Sequence, residues 1–414
     1  MIDACSQDSK RLLTLQEALD NIKANISAIT DTEILPLQNA LGRVLAADVY
    51  SPINLPFDRN AAMDGYAYAS ADNNPEQAFT LTRVGTSWAG KPFTGQLQSG
   101  ECIRIFTGAV VPPEADSVLM QEHATAVGEN IQFPADAKPL QNIREAGEDI
   151  KQGELLCKAG KKLSTFDIGL LAAVGVSEVI VLRPVNIAYF STGDELTALG
   201  QPLESGKIYD SNRYTLNGLL TDPAYRASDL GVIADDPQQL ETQFTQAAKN
   251  HDVIISTGGA SVGDADYVKD ILARCGSVNF WKLAIKPGKP LAYGTIGNCH
   301  FFGLPGNPVA VVVTFQQLVT PALRKLSGAD DLKKLRLQAT ATCPLKKAPG
   351  RQEFLRGIFS QTDDGEIVVT SAGRQGSHIL SSMSRSNCFI VLPAACSGIQ
   401  AGDKVVVEPF DLFL

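Results

Sequence analysis

The 414-residue sequence predicts a multidomain α/β plus β chain. Its expected parts are a central parallel α/β sheet with helices on both faces, a β-rich inserted domain and a C-terminal β-barrel-like domain. Three observations carry this. Between about 185 and 326, short apolar runs alternate with amphipathic stretches, the pattern of strand–helix–strand units. From about 50 to 140, and again from 329 to 414, the texture is short β-branched strands between Gly, Asp and Pro turns. A chain of this length, 44% hydrophobic and 20% charged, has material for more than one core. The expected boundaries are 1–48 with 141–184 for a helical or mixed first domain, 49–140 for the insertion, 185–328 for the α/β domain and 329–414 for the tail.

The elements follow in order. "TLQEALDNIKANISAI", residues 14 to 29, has helical spacing, with Thr14 and Glu17 three apart as a capping box. "AFTLTRV", "ECIRIF", "SVLMQEH" and "ENIQFP" read as the inserted strands. "STFDIGLLAAVGV", 164 to 176, is helical again behind Ser164 as N-cap. In the α/β segment the strands are "VNIAYFS" (185–191), "ASDLGVI" (227–233), "DVIIST" (252–257), "VNFWKLA" (278–284) and "CHFFGL" (299–304). Helices are expected near 211–221, 237–250, 266–274 and 307–326. The tail strands are "GEIVVTS", "NCFIVLP" and "DKVVVEPF".

Composition excludes several classes. The net charge of −9 and pI of about 5.1 argue against a broad nucleic-acid surface, while leaving room for a local basic pocket. No apolar signal core opens the sequence and no run is long enough to span a bilayer, so a cytoplasmic protein is expected. The eight cysteines and four histidines form no CxxC and no local ligand pair. They read as reduced, inert thiols, and any metal would be held by oxygen.

The chemistry concentrates at the predicted carboxyl ends of the α/β strands, where open parallel sheets bind ligands. Acids recur there: Asp194 and Glu195 in "STGDEL", Asp210 in "YDSN", Asp235 and Asp236 in "ADDP", Asp264 and Asp266 in "STGGASVGDADY". Each alone suits a helix cap; together they suit a divalent cation, since Mg²⁺ needs few carboxylates beside waters and ligand phosphates. Gly258, Gly259 and Gly263 can bring backbone N–H groups to an anion. No Walker A or GxGxxG follows a strand. "KLAIKPGKP" places Lys282, Lys286 and Lys289 around a proline-stiffened turn, which suits a multiply anionic ligand. "GLPGNP" enters the last helix, with Asn307 as cap or ligand contact. Outside this segment stand "FDRNAAMDGYA" (57–67) and, in the tail, Arg351, Arg356, Arg374, Ser377 and His378, of which the arginines suit oxyanions.

"AAMDGYA", "IRIFTGAVVP", "AGEDI", "STGDEL", "IYDSN", "STGGASVGDADY", "WKLAIKPGKP", "GLPGNP", "PGR" and "QGSH" occur in order over about residues 10 to 410. In this the chain resembles the molybdopterin molybdotransferases, the family of MoeA and the gephyrin E domain. The resemblance implies an elongated homodimer of four-domain subunits with an active site shared between subunits. It implies insertion of molybdate into adenylylated molybdopterin, with Mg²⁺-dependent release of AMP. It makes Asp194, Glu195, Asp235 and Asp266 the metal acids. The implied catalytic residues are Asp149, Glu195, Asp235, Asp266, Lys282 and Lys286. For substrate it implies Thr107, Ser191, Thr192, Gly193, Gly258, Gly259, Ser261, Pro305, Pro308, Arg356 and Ser377. Asp58 is carried over with a departure: the family's loop aspartate lies four residues before the methionine of "MDGY", and here Arg59 takes that place. Molybdopterin adenylyltransferase and cofactor-receiving enzymes are the implied partners, with no nucleic acid and no membrane. Two other readings compete: a nucleotide pyrophosphatase on the same α/β module, and a non-catalytic scaffold. Full-length agreement of the blocks opposes the first, and intact Asp194, Asp266, Lys282 and Lys286 oppose the second.

Overall fold

A computed structural model of the chain describes residues 12–74, 76–234, 236–258, 271, 273–330 and 333–410. In chain order the elements used below are α1 (Leu15–Ala24), β1 (Thr32–Pro36), β2 (Gly65–Tyr68), β3 (Phe79–Ser87), β4 (Glu101–Ile105), β5 (Ser117–Met120), β6 (Thr125–Val127), β7 (Asn130–Phe133), α2 (Thr165–Ala173) and β8 (Glu178–Leu182). The α/β region holds β9 (Val185–Thr192), α3 (Asn212–Leu219), β10 (Tyr225–Ile233), α4 (Pro237–Asn250), β11 (Val253–Thr257), β12 (Ser277–Lys282), β13 (Pro290–Ile296), β14 (Cys299–Leu304), α5 (Pro308–Thr314) and α6 (Thr320–Leu326). The tail adds β15 (Leu337–Ala341), β16 (Gln352–Gln361), β17 (Ile367–Ser371), β18 (Cys388–Leu392) and β19 (Lys404–Pro409).

Local chemistry starts the helices as read. Thr14 and Glu17 close a full capping box on α1, and Ser164 and Asp167 do so on α2. Asp236 accepts from the Gln239 N–H at 2.8 Å, with Pro237 in the first turn of α4.

The central sheet has six strands in the order β10-β9-β11-β14-β13-β12. Its β10, β9, β11 and β14 are parallel, but β13 runs antiparallel to both neighbours. The sheet is therefore mixed rather than purely parallel. The reason is "PLAYGTI", passed over between two recognised strands. It pairs Ile296 with Cys299 across a two-residue Gly297-Asn298 turn, in which Gly297 has φ +59°, the turn chemistry that closes hairpins. Side-chain alternation splits the core into two. Val253, Ile255, Phe302 and Leu304 face α1, α3, α5 and α6, while Ile254 and Phe301 face α4. Helix α1 thus packs on the α/β sheet, through Ala18 and Ile22, and Leu13 N–H bonds Lys282 O at 2.9 Å.

The inserted region forms a second six-stranded sheet, β5-β2-β4-β3-β7-β6, with its own apolar cores. The tail strands close on themselves: β16-β17-β15-β19-β18, with β18 returning to β16. That closure leaves no free sheet edge among these five strands. Residues Ile285–Lys286 pair in parallel with Gln352 and Glu353 of β16, so the lysine turn is stitched to the barrel.

The last helix is interrupted. Between α5 and α6, Phe315–Val319 is π-helical. Pro321 has no N–H for the carbonyl of Gln317, and a wider turn relieves that loss. The π turn also aims Gln317 inward, where its Nε2 donates to Glu408 Oε2 at 2.8 Å. Glu408 is 0% exposed and also pairs with Lys334 at 3.0 Å and Arg336 at 2.9 Å. Burial alone pushes its carboxyl up, but Lys334, Gln317 and Arg336 outweigh that and hold it below the ordinary glutamate value. Its stabilising contribution is therefore complete above the unfolded value of about 4.3 and is lost as pH falls through the lower folded value. Urea melts of Glu408→Gln against wild type are expected to show a stability gap that is full at pH 6–7 and narrows below about pH 4.

Three buried thiols, Cys102, Cys299 and Cys388, are pushed up to about 12 by burial, as inert cysteines should be.

Candidate active site at the carboxyl edge of the central sheet

Each loop leaving the parallel strands presents atoms on one edge. Strand β9 ends in Ser191 and Thr192, both buried, whose Oγ and Oγ1 have no hydrogen-bond partner. Gly193 follows at φ +141°; a Cβ there would lie 2.5 Å from Glu195 Oε2, so the Glu195 carboxylate folds over the glycine. Asp194 and Glu195 are exposed, and Lys207 Nζ donates to the Asp194 carbonyl. Strand β11 ends in buried Thr257 and in Gly258 at φ +89°. A Cβ on Gly258 would sit 2.3 Å from Thr192 O, so only glycine lets these two loops close up. Gly258→Ala is expected to lose about 1–3 kcal/mol of stability to backbone strain, readable in urea melts.

Asn212 ties the edge together. Its Nδ2 donates to Thr257 Oγ1 at 2.9 Å and to Gly306 O at 2.8 Å, and its Oδ1 is buried without a partner. Among the described residues, three buried oxygens without a hydrogen-bond partner therefore lie on this edge, those of Ser191 and Thr192 at the end of β9 and that of Asn212 at the start of α3. Unpaired buried polar atoms are costly and rare, and they mark a place where something polar docks. Asp210 is committed locally instead: it accepts from the Arg213 backbone and guanidinium at 3.2 Å, and Arg213 reaches Asp229 at 2.6 Å. Asp210 is the helix-start acid the sequence allowed it to be.

Next to this edge lies a cavity of about 350 Å³ bounded by Lys286, Lys289, Gly306, Asn307, Arg351 and Ser377 among others. No carboxylate lines it among the described residues, so it suits an anion. Pro305 lines it, and Pro308 opens α5 beside it. Asn307 stands at the N-cap position of α5 without a side-chain cap bond, which leaves its amide for the cavity. Lys286 Nζ lies 3.3 Å from Glu353 Oε1. Lys282 is exposed at the end of β12, the strand that leads into the lysine turn.

Arg356 is placed differently from a surface oxyanion clamp. It is 0% exposed. Its Nε donates to Ser382 Oγ at 3.0 Å and its Nη2 to Gly376 O at 3.0 Å and Arg374 O at 3.4 Å. Burial pushes its guanidinium down to about 10, still charged at neutral pH. Among the described residues Nη1 has no partner, and Arg356 also borders a smaller cavity of about 200 Å³ that touches Lys286, Lys346, Glu353 and Gln375. Arg356 thus holds the 374–377 loop, which carries Ser377, and keeps one N–H to spare.

The first half of the chain holds a second group. Thr107 donates its N–H and its hydroxyl to Asp64 Oδ1, both at 2.7 Å, and these bonds hold the Asp64 carboxyl below the usual range. Asp58 and Asp149 are exposed on segments tied together by Asp149 N–H to Leu55 O and Gly147 N–H to Pro56 O, both 3.0 Å. Arg59, which follows Asp58 directly, pairs with Glu145 at 3.2 Å. None of the apolar cores of this region includes a residue beyond 181. Asp64 with Thr107, and Asp58 with Asp149, therefore sit on the first-half segments, whose apolar cores are separate from that of the central sheet.

Asp235, Gly259, Ser261, Asp264 and Asp266 lie outside the described residues. Among the described residues no group of three or more His, Cys, Asp and Glu is placed to hold a metal. Sequence reasoning left Asn212, Arg351, Lys289 and Asp64 off its list of site residues, although "YDSN", "PGR", "KPGKP" and "MDGY" were all noticed. Lys289 and Arg351 already stood out as cations suited to an anion, whereas the value of Asn212 and Asp64 shows only in three dimensions, as an orphaned amide oxygen and a paired carboxylate.

Fold and edge together give a mixed α/β sheet whose carboxyl edge borders a cavity lined by lysines, an arginine and, among the described residues, no carboxylate, with the C-terminal β-barrel on its far wall. Comparison with known proteins makes this particular. Residues 13–175 match the model of the MoeA N-terminal region (domain I and II), 188–325 that of a probable molybdopterin binding domain, and 338–410 that of the MoeA C-terminal region (domain IV). The molybdopterin molybdenumtransferase of Haemophilus influenzae is 44% identical over 405 residues, covering 97% of this chain and 100% of that protein. The one from Nostoc is 35% identical, covering 94% and 91%. The crystal structure of the molybdopterin biosynthesis MoeA protein from Pyrococcus horikoshii OT3 superposes with a TM-score of 0.84 at 29% identity, covering 97% of this chain and all of that one. The chain belongs to the MoeA, or molybdopterin molybdenumtransferase, family of transferases. Among the described residues no helix is long and apolar enough to cross a membrane.

Proposed function

We propose that this protein inserts molybdate into adenylylated molybdopterin, releasing AMP and forming molybdenum cofactor. The observation that carries the reading is the edge itself: buried unpartnered oxygens of Ser191, Thr192 and Asn212 beside an acid-free cavity rimmed by Lys286, Lys289 and Arg351. A substrate with a phosphoanhydride and a tetrahedral oxyanion co-substrate need both kinds of surface.

In this reading Gly193 and Gly258 let the backbone approach the substrate, and the three oxygens orient its polar groups. Lys282 and Lys286 stabilise charge that grows on the phosphate oxygens as the bond to AMP breaks, a positioning and electrostatic role. Ser377 and Arg351 receive molybdate, the co-substrate, and Arg356 holds the loop that carries Ser377. Pro305 and Pro308 keep the facing turn rigid. Hard oxygen donors are what Mg²⁺ prefers, and Asp194 and Glu195, with Asp235 and Asp266, supply them. When bound, Mg²⁺ neutralises phosphoanhydride charge.

In this reading Asp149, Thr107 and Asp58 complete the site from a second copy of the chain, as the family resemblance implies, and the protein works as a homodimer. In the cytoplasm the protein takes its substrate from molybdopterin adenylyltransferase and passes the product to cofactor-receiving enzymes.

The test is release of AMP from adenylylated molybdopterin by the purified full chain, with molybdate and Mg²⁺ each present or withheld. Release is expected only with both. Release that ignores molybdate would favour a pyrophosphatase, and binding without turnover a scaffold.

A further inference from the structure

We propose that Trp88 ends a rigid aromatic–guanidinium ladder that stacks on a planar nitrogen heterocycle of the substrate, its adenine or its pterin. This rests on the function proposed above, which supplies a ligand with two such rings.

The ladder has four members. Trp88 stacks on Phe106 with ring centroids 4.0 Å apart and planes 11° from parallel. The Arg104 guanidinium lies 4.6 Å from the Phe106 centroid and 5.3 Å from that of Tyr66. Arg104 is held in register by Nη1 donating to Gly65 O at 2.7 Å and by a bond from Nη2 to Gln121. One exposed aromatic on a surface needs no explanation. A continuous stack ending in a tryptophan that is 51% exposed is a different object, because its last member has been given a fixed plane.

The plane is fixed by the chain beneath it. Trp88 and Lys91 exchange both backbone bonds, at 3.0 and 2.9 Å, across a turn with Gly90 at φ +77°. Phe93, two residues past Lys91, is clasped between two glycines: a Cβ on Gly85 or Gly95 would fall 2.3 or 2.4 Å from its ring. Ser87, fully buried, donates from Oγ to Val110 O at 2.9 Å. Such a platform loses little freedom when a ring settles on it, which is what makes stacking productive.

Its position selects the ligand. Phe106 directly precedes Thr107, whose N–H and hydroxyl both bond Asp64, and Asp64 directly precedes Gly65, the acceptor for Arg104. The ladder and the Asp64–Thr107 pair are thus one surface. A planar, nitrogen-rich ring suits an electron-rich indole face, whereas phosphate and molybdate find their cations at the other group.

Trp88 and Trp281 are the only two tryptophans, so in a Trp281→Phe background the emission of the full-length protein reports Trp88 alone. The probes are AMP and, separately, 6-hydroxymethylpterin, with binding of each followed independently by calorimetry. Saturable quenching by one of them is expected, and which one quenches identifies the ring. Trp88→Ala is expected to raise KM for adenylylated molybdopterin about tenfold with kcat within about twofold, and Trp88→Phe to stay near wild type. Unchanged emission at saturation by both probes, an unchanged KM in Trp88→Ala, or a change of oligomeric state in that variant would each overturn the assignment. Absence of all binding and all AMP release would overturn it together with the function on which it rests, and calorimetry separates that case from a failure of the ladder alone.

Discussion

Lys282→Ala is expected to slow molybdate-dependent AMP release by about 10²-fold, the loss seen when one preorganised charge-stabilising donor is removed from a site. The side chain is exposed and stands at the end of β12, where the chain enters the lysine turn. Its removal leaves no cavity, so the urea midpoint should move by no more than about 0.5 kcal/mol equivalent. The backbone of Lys282 still accepts from Leu13, which keeps α1 in place. A large rate loss at constant stability separates a chemical role from a structural one. Lys282→Arg should recover part of the rate, since charge is retained while reach and geometry change.

Arg356→Ala is expected to act the other way round, through structure first. The side chain is fully buried and gives hydrogen bonds to Ser382, Arg374 and Gly376. Truncation opens a cavity and strands a hydroxyl and two carbonyls, at about 3–5 kcal/mol. The loop that carries Ser377 would lose its anchor, so molybdate dependence should weaken along with stability. Arg356→Lys should rescue little, because one ammonium cannot reproduce three bonds from a planar fork. Urea denaturation checks the stability loss, and the molybdate concentration for half-maximal AMP release checks the loop.

These two cases show what the sequence can and cannot tell. Both residues sit in blocks that stand out in the sequence. Yet "FLRG" reads the same whether its arginine faces solvent or core. Burial of Arg356 depends on β18 closing onto β16 and on the 374–382 segment folding across it, contacts far apart along the chain. The caps of α1, α2 and α4 were legible, because capping boxes and Asp-Pro starts are written within four residues. So were the apolar strands β9, β11 and β14. Strand β13 was not, since Pro290 and Gly294 hide its period. Nor was the π turn at Gln317, which answers to Pro321 and a buried Glu408 about ninety residues on. Packing of α1 on the central sheet likewise follows from apolar surface that only the folded chain brings together. At the site, the glycine loops and the lysine turn were legible as chemistry, whereas Asn212 became a candidate only once its Oδ1 was seen buried and unpaired.

The measurement that tests the central claim most directly uses two inactive variants. Lys282→Ala removes the edge group of one copy, and Asp149→Asn removes the other group. Co-expressed and purified together without sorting the dimers, they should regain about a quarter of wild-type molybdate-dependent AMP release, since about half the dimers are mixed and each of those has one of its two sites intact. Activity no higher than that of either variant alone would contradict a site built from two copies at the carboxyl edge of this sheet.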